Sequence, residues 1–346
     1  MTQDEFYNLI LSPAYDFLRT DPHLGENIMF LTLGGSHAYG TNVEGSDVDV
    51  RGCALNSSQD ILGFSNFEQR VDTVTDTTIY GFNKLVSLLL SCNPNTIELL
   101  GNKPDQYFYI TPAGQMLLDN KKLFLSQTAV HAFGGYANQQ LRRLQNALAH
   151  DHYPQDEKER HILGTCKSVF ENFRLQHADI PGDSVRLYID KGVTEGMDTE
   201  IFIDCDLKHY PLRSFKEMNS DLGTVIGQYA KLGKRNSKKD DLHLNKHAMH
   251  LVRLYLMCFD ILEKGEINTY RENDRDFLLE IRAGKFQKPD GTYYQEFFNL
   301  IDEYEKRLEY DKKNTMLPKT PDYKRVEELV MEVNYYACTA RYSTAA

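Results

Sequence analysis

The chain has 346 residues, of which 50 are acidic and 39 basic, so its formal net charge is −11 at pH 7. This balance argues against a broad electropositive surface for duplex nucleic acid. No apolar run of about 18 residues occurs, so no membrane span is expected, and the polar, acidic start Met1–Tyr7 does not resemble a secretory signal. The six cysteines form no CxxC pair, which favours free thiols in a reducing compartment.

The first 110 residues predict a mixture of helices and strands. The expected elements are, in chain order, a helix over 3–20, strands over 28–33, 47–55 and 71–80, and a helix over 82–92. The second strand alternates and places Asp47, Asp49 and Arg51 on one face. The third strand places Asp72 and Asp76 on one face.

Beyond residue 110, helical periodicity dominates. Helices are expected over 113–125, 129–150, 157–176, 242–264, 274–283, 293–311 and 321–336. Two extended segments, 185–189 and 199–205, flank a glycine-bearing turn and predict a β-hairpin, and the basic stretch 231–239 predicts a loop. We therefore predict an α+β fold with a core domain over 1–110 and a mainly helical domain over 111–346 that carries the hairpin.

A glycine-rich turn stands ten residues ahead of two closely spaced carboxylates. Gly34, Gly35 and Ser36 follow the first strand, and backbone N–H groups in such a turn can bind phosphate oxygens, with the Ser36 hydroxyl as a further donor. Asp47 and Asp49 are two positions apart, roughly 7 Å at Cα in a strand, which lets both share divalent cations. Mg²⁺ prefers carboxylates together with substrate phosphates, so the pattern predicts a site for a nucleoside triphosphate and its metal.

A two-metal site of this kind usually needs a third carboxylate. Two Mg²⁺ ions, or Mn²⁺ in their place, would clamp the attacking and leaving oxygens of an in-line displacement. Asp76 is the best candidate for the third ligand, and Asp72, on the same predicted face, is the alternative.

The helix over 242–264 carries a second candidate binding face. Lys246, His250 and Arg253 are spaced four and three residues apart and share one side of the helix. They predict either a cationic wall facing the triphosphate or the acceptor, or a solvated and salt-bridged face. The sequence is compatible with two roles for Arg51 as well: an ion pair with one of the aspartates, or a contact with a phosphate.

Several segments resemble a known family. The pattern GGS…SDVDV resembles the signature of the DNA polymerase β nucleotidyltransferase superfamily. The segments GSHAYGTNVEGSDVDVRG, NPNTIELL, KHAMHLVRLYLMCFDILEKGEI and LLEIRAGKF resemble the RlaP-like predicted nucleotidyltransferases of bacteria and bacteriophages, some of which are linked to RNA repair. This resemblance spans about residues 28 to 336.

The resemblance implies a mixed-sheet core followed by a helical domain. It implies that Gly35 and Ser36 hold the β- and γ-phosphates, that Asp47 and Asp49 carry Mg²⁺, and that Asp76 is the third acid. The implied activity is Mg²⁺-dependent transfer of a nucleoside monophosphate from an NTP to an acceptor hydroxyl with release of pyrophosphate, preferably at a tRNA-like RNA 3′ end. The implied location is the cytoplasm of a bacterium or of a phage-infected cell.

Two other functions are compatible with the sequence. One is adenylylation of a protein or a small molecule, which the acidic net charge favours slightly. The other is a nucleotide-binding regulator without turnover, against which the intact Asp47 and Asp49 argue.

Overall fold

The computed structural model describes residues 1–152, 184–191, 199–235 and 241–339, together with residues 173, 177, 180 and 193. Apart from residue 173, the helix predicted over 157–176 lies outside the described residues. The chain divides into two compact units: Met1–Leu141, Asn245–Phe286 and Tyr293–Ala346 form the first, and Arg142–Leu244 and Gln287–Thr292 form the second. The boundary predicted at residue 110 falls inside the first unit.

A five-stranded mixed sheet is the centre of the first unit. Its strands are β1 (Ile28–Leu33), β2 (Val50–Ala54), β3 (Gln69–Asp72), β4 (Thr77–Gly81) and β5 (Tyr107–Ile110), in the order β3-β4-β2-β1-β5. Strand β2 pairs in parallel with β4, and the other three pairings are antiparallel. All six residues of β1 are buried, as the apolar run predicted. The mixed sheet confirms the predicted α+β class.

Thirteen helices are described. They are α1 (Gln3–Ile10), α2 (Phe17–Thr20), α3 (Gly35–Tyr39), α4 (Ser58–Leu62), α5 (Phe82–Leu90), α6 (Pro94–Ile97), α7 (Pro112–Asp119), α8 (Thr128–His152), α9 (Leu212–Arg235), α10 (Asp241–Phe259), α11 (Arg275–Arg282), α12 (Gln295–Asn314) and α13 (Tyr323–Thr339). A π-helical turn, Asp260–Lys264, continues α10, and 3₁₀ turns include Pro13–Tyr15 and Glu98–Leu100. Among the described residues, no helix combines the length and the apolarity that crossing a membrane requires.

One hydrophobic cluster joins the N-terminal helices to the sheet. Phe6 of α1 stacks on Phe108 of β5 with ring centroids 4.0 Å apart. Tyr15 and Leu18 pack into the same cluster as Leu31 of β1. Burial of such apolar side chains is the main favourable contribution to folding. Here it packs the N-terminal helices against β1, the strand that the glycine turn follows.

The second unit contains the predicted hairpin. Strands β6 (Val185–Lys191) and β7 (Thr199–Cys205) pair antiparallel, with Val185 opposite Cys205 and Lys191 opposite Thr199. Val185 packs against Met218 and Leu222 of α9 in a small core. The hairpin prediction is therefore confirmed.

Two predicted strands were wrong in their extent. The second strand begins at Val50, so Asp47 and Asp49 lie in the extended segment before it and not within it. The third predicted strand is a hairpin: β3 ends at Asp72, and residues 73–76 form a turn. The Asp72 carboxylate accepts hydrogen bonds from the backbone N–H groups of Val74 and Thr75, which closes this turn.

Two helical predictions also need correction. The helix over 3–20 is divided into three pieces at Ser12 and Pro13, because proline has no N–H to donate within a helix. The first five residues of the loop predicted over 231–239 form the end of α9, and residues 236–240 lie outside the described part. Helix α9 itself was not predicted, since its sequence includes weak helix formers such as Asn219 and Gly223.

Candidate active site

The glycine turn and the aspartate segment are in direct contact. Gly34 follows β1, and its N–H donates to the backbone carbonyl of Asp49 over 2.8 Å. Gly35 begins α3 with a φ of +56°, in the left-handed region that favours glycine. A β-carbon at Gly35 would lie 1.6 Å from Oδ2 of Asp49. Position 35 therefore has to be glycine for both steric and conformational reasons.

Asp49 and Asp76 form a pair of carboxylates. The Asp49 side chain is only 16% exposed, and burial followed by its hydrogen bond with Asp76 raises the pKa of Asp49 to about 7. The same hydrogen bond is the main cause that lowers the pKa of Asp76. The two carboxylates are therefore coupled, and their proximity makes Asp49 easier to protonate than an isolated aspartate.

Arg51 links the two aspartates. Its guanidinium donates to the backbone carbonyl of Asp76 and, over 3.1 Å, to Oδ1 of the same residue. Its Nη2 lies 3.7 Å from Oδ1 of Asp49. These contacts hold Asp76, which has a φ of +46° in the β3–β4 turn, beside Asp49. Of the two readings for Arg51, the ion pair is the one observed.

The predicted metal ligands are only partly brought together. The Asp76 carboxylate lies beside that of Asp49, whereas the Asp72 carboxylate accepts a hydrogen bond from Thr75 in the β3–β4 turn. Asp47 is exposed, two residues before Asp49, and no hydrogen bond or ion pair to it is found among the described residues. Within that part of the chain, no three His, Cys, Asp or Glu side chains are grouped closely enough to hold one metal ion. Ser36 is half-buried at the start of α3.

Two side chains of α10 lie near this site. Lys246 is exposed, and its charge lowers the pKa values of both Asp49 and Asp76. The imidazole of His250 lies edge-on to the ring of Tyr39, with centroids 6.1 Å apart. Burial first, and then the neighbouring positive charges, lower the pKa of His250 well below its usual range, so this ring is neutral at pH 7.

Arg253 has a different environment from its two neighbours in the predicted wall. It is 4% exposed, its Nη1 lies 3.1 Å from Oε2 of Glu98, and its guanidinium lies 3.6 Å from the centroid of the Tyr39 ring. The Tyr39 hydroxyl donates to the same Glu98 carboxylate over 2.9 Å. These contacts give Arg253 a structural role, because its charge is already neutralised inside the protein.

Glu98 was not predicted as part of the site. It lies in NPNTIELL, is 7% exposed, and joins α3 to α10 through Tyr39 and Arg253. A single acidic residue among the apolar Ile97, Leu99 and Leu100 was the available signal, since a buried carboxylate needs a partner.

A model of the RlaP family, described as an RNA repair pathway DNA polymerase beta family, matches residues 15–174. A search of curated proteins found no match. The matched range contains the glycine turn, all four candidate aspartates and NPNTIELL, whereas KHAMHLVRLYLMCFDILEKGEI and LLEIRAGKF lie beyond it. The match confirms the predicted resemblance to the RlaP family over residues 15–174.

Proposed function

We propose that this protein is a divalent-metal-dependent nucleotidyltransferase that moves a nucleoside monophosphate from an NTP to the 3′ hydroxyl of an RNA and releases pyrophosphate. The observation that carries the proposal is the contact between Gly35 and the Asp49 carboxylate, because it joins a turn suited to phosphate with a side chain suited to a cation. The family match supports the reaction class. The RNA acceptor rests on the family description alone.

The carboxylates fit a divalent cation. The neighbouring carboxylates of Asp49 and Asp76 repel each other, a cation bound between them would relieve that repulsion, and carboxylate oxygens are the ligands that Mg²⁺ and Mn²⁺ prefer. Asp47 is exposed and has no protein partner among the described residues, so it is available as a further ligand. When bound, two such cations would neutralise developing charge on the attacking and leaving oxygens.

The glycine turn and Lys246 are suited to the phosphates. At Gly34 and Gly35 the side chains of Arg51 and Asp49 fill the space that a β-carbon would take, and the half-buried Ser36 adds a hydroxyl to the turn. Lys246 is exposed, and within the described part of the chain it forms no ion pair. It can therefore offer its ammonium group to a phosphate oxygen. Arg253 is not included in this site, since Glu98 already neutralises it.

The reaction itself provides the test. The protein is incubated with each of the four α-³²P-labelled NTPs, Mg²⁺ and a tRNA pool, and the labelled products are separated. We expect label at RNA 3′ ends and pyrophosphate release, both lost with EDTA and in Asp49→Asn, and both retained in Glu44→Gln, which removes an exposed carboxylate from the loop before Asp47. Label in protein or in a small molecule would instead identify the alternative acceptor. Binding of NTP without any pyrophosphate release would contradict the proposal.

A further inference from the structure

An arginine that the sequence analysis did not single out lies beside the end of α3. Arg282, the last residue of α11, donates from Nη1 to the backbone carbonyl of Thr41 over 2.6 Å. Its side chain is half-buried, and burial lowers the pKa of its guanidinium. Among the residues that the structure describes, no carboxylate lies within ion-pair distance of Arg282. A desolvated guanidinium with donors left over is unfavourable unless an anion accompanies it.

Other cationic side chains act on the same part of the first unit. The charges of Arg253, Lys246 and Arg282 all act on His250 and help to keep its ring neutral. Of these three cations, Arg253 alone has a carboxylate partner among the residues that the structure describes. For Lys246 and for the ring nitrogens of His250, the described residues provide no hydrogen-bond or ion-pair partner.

A buried hydroxyl next to Arg282 also lacks a partner. Thr41 is fully buried, and its Oγ1 forms no hydrogen bond in the described structure. Buried polar atoms are normally satisfied by protein, water or ligand. Because Arg282 donates to the carbonyl of Thr41, this hydroxyl and a guanidinium that has no carboxylate partner among the described residues belong to neighbouring side chains of the first unit.

We propose that Arg282, together with Lys246 and His250, forms a phosphate-binding subsite at the end of α3. Arg282 supplies a planar fork of N–H donors suited to phosphate oxygens, Lys246 supplies a point charge, and the neutral imidazole supplies one donor. The source of the phosphate rests on the proposed function: it is either the polyphosphate tail of the NTP or the backbone of the RNA acceptor.

Capping of α3 is the simpler role for an arginine at this position, and Arg275 is the matched comparison. Arg275 donates from Nε to the carbonyl of Gly40 over 2.8 Å, one residue before the carbonyl that Arg282 binds. Arg275 lies 3.7 Å from Asp276, so its charge is partly compensated. If both arginines only cap α3, substituting either one should affect phosphate binding equally. If Arg282 belongs to a phosphate subsite, substituting Arg282 should weaken phosphate binding and substituting Arg275 should not.

Calorimetric titration with sodium tripolyphosphate in EDTA tests the subsite without metal and without turnover. We expect Arg282→Gln to weaken binding by about tenfold or more, the loss typical of a charge-assisted hydrogen bond. Lys246→Gln should weaken it as well, Arg282→Lys should lie in between, and Arg275→Gln should change the Kd by less than about twofold. Because Lys246 is exposed and unpaired in the described structure, Lys246→Gln remains informative even if Arg282→Gln does not fold.

The same titration with an RNA oligonucleotide that lacks terminal phosphates identifies the source. Arg282-dependent binding of tripolyphosphate assigns the subsite to the NTP, and Arg282-dependent binding of RNA assigns it to the acceptor. Equal effects of Arg282→Gln and Arg275→Gln on both ligands, or no binding of either ligand by the unmodified protein, would overturn the subsite. Nucleotidyl transfer is measured separately, so a protein that binds tripolyphosphate through Arg282 but transfers no label would refute the proposed function and leave the subsite standing.

Discussion

The carboxylate of Asp49 lies against the α-carbon of Gly35, where a β-carbon would come within 1.6 Å of Oδ2. The glycine turn and the aspartate segment are therefore one structural unit, which the hydrogen bond from Gly34 N–H to the Asp49 carbonyl reinforces. The side chain that the proposal assigns to the cation is thus positioned by the turn that it assigns to phosphate. A substitution that moves the glycine turn should therefore also displace the Asp49 carboxylate, and the reverse should hold as well.

Gly35→Ala tests this coupling. The new methyl group would displace the Asp49 carboxylate, and the residue would also keep a strained left-handed backbone with a φ of +56°. We expect loss of divalent-cation binding and of nucleotidyl transfer, together with destabilisation of more than about 1 kcal/mol by chemical denaturation.

Gly45→Ala is the matched control for that substitution. Gly45 also has a positive φ, +79°, but a β-carbon there would meet no atom within 4 Å. It should therefore show the backbone strain alone, about 1 kcal/mol, and retain cation binding. Equal loss of cation binding in the two variants would contradict the steric argument.

Arg253→Met should be strongly destabilising. It would leave the buried Glu98 carboxylate without its cation, and breaking a buried pair on one side typically costs about 3–5 kcal/mol. Lys84→Met, which breaks the exposed pair with Glu68, should cost no more than about 1 kcal/mol. Urea denaturation measures the free energy of unfolding of both variants. If Arg253→Met were as stable as Lys84→Met, the structural role given to Arg253 would be wrong.

Arg51→Met should disturb the β3–β4 turn. Arg51 holds both the carbonyl and the carboxylate of Asp76, so its loss should cost about 1–3 kcal/mol and speed amide hydrogen exchange over residues 73–76. Arg70→Met is the control, because Arg70 lies on β3 but pairs with Asp21 across 3.7 Å and not with Asp76. If amide hydrogen exchange over residues 73–76 were unchanged in Arg51→Met, Arg51 would not be the group that positions Asp76.

Asp311 should make stability depend on pH. Burial, and then the neighbouring Glu263 carboxylate, raise the pKa of Asp311 to about 6, while Arg307 opposes this shift. Because the folded state holds this proton more tightly than the unfolded chain, with its reference pKa of 3.8, the stability contribution is complete below about pH 4 and is lost as the pH rises through 6.

The measurement is the free energy of unfolding between about pH 4 and pH 7. The unmodified protein should lose up to about 3 kcal/mol more than Asp311→Asn across this range, since each pKa unit corresponds to about 1.4 kcal/mol. Parallel pH profiles for the two proteins would show that the carboxyl group is not perturbed.

Local sequence was sufficient where one residue pattern determines one structure. The buried run over 28–33 forms β1 with the predicted bounds, because an unbroken apolar segment ending in glycines suits a central strand. The hairpin of β6 and β7 was predicted for a similar reason. The third strand was mispredicted because its turn has no glycine: Asp72 closes it with a side chain, and Asp76 adopts the positive φ that glycine most often supplies.

Long-range contacts account for what the sequence did not reveal about the site. Helical spacing placed Lys246, His250 and Arg253 on one face, but it carried no information about Glu98, which is 155 residues away along the chain and neutralises only Arg253. Likewise, the spacing of Asp72 and Asp76 could not decide which of them meets Asp49. That choice depends on Arg51, whose partner lies 25 residues further along.

Manganese binding tests the central claim most directly. Electron paramagnetic resonance of Mn²⁺ titrated into the protein measures bound cation without substrate or turnover. We predict that Asp49→Asn and Asp76→Asn each abolish the bound-ion signal, whereas Asp72→Asn, whose amide oxygen can still close the turn, binds Mn²⁺ as the unmodified protein does. Loss of binding in Asp72→Asn with retention in Asp49→Asn and Asp76→Asn would contradict the account.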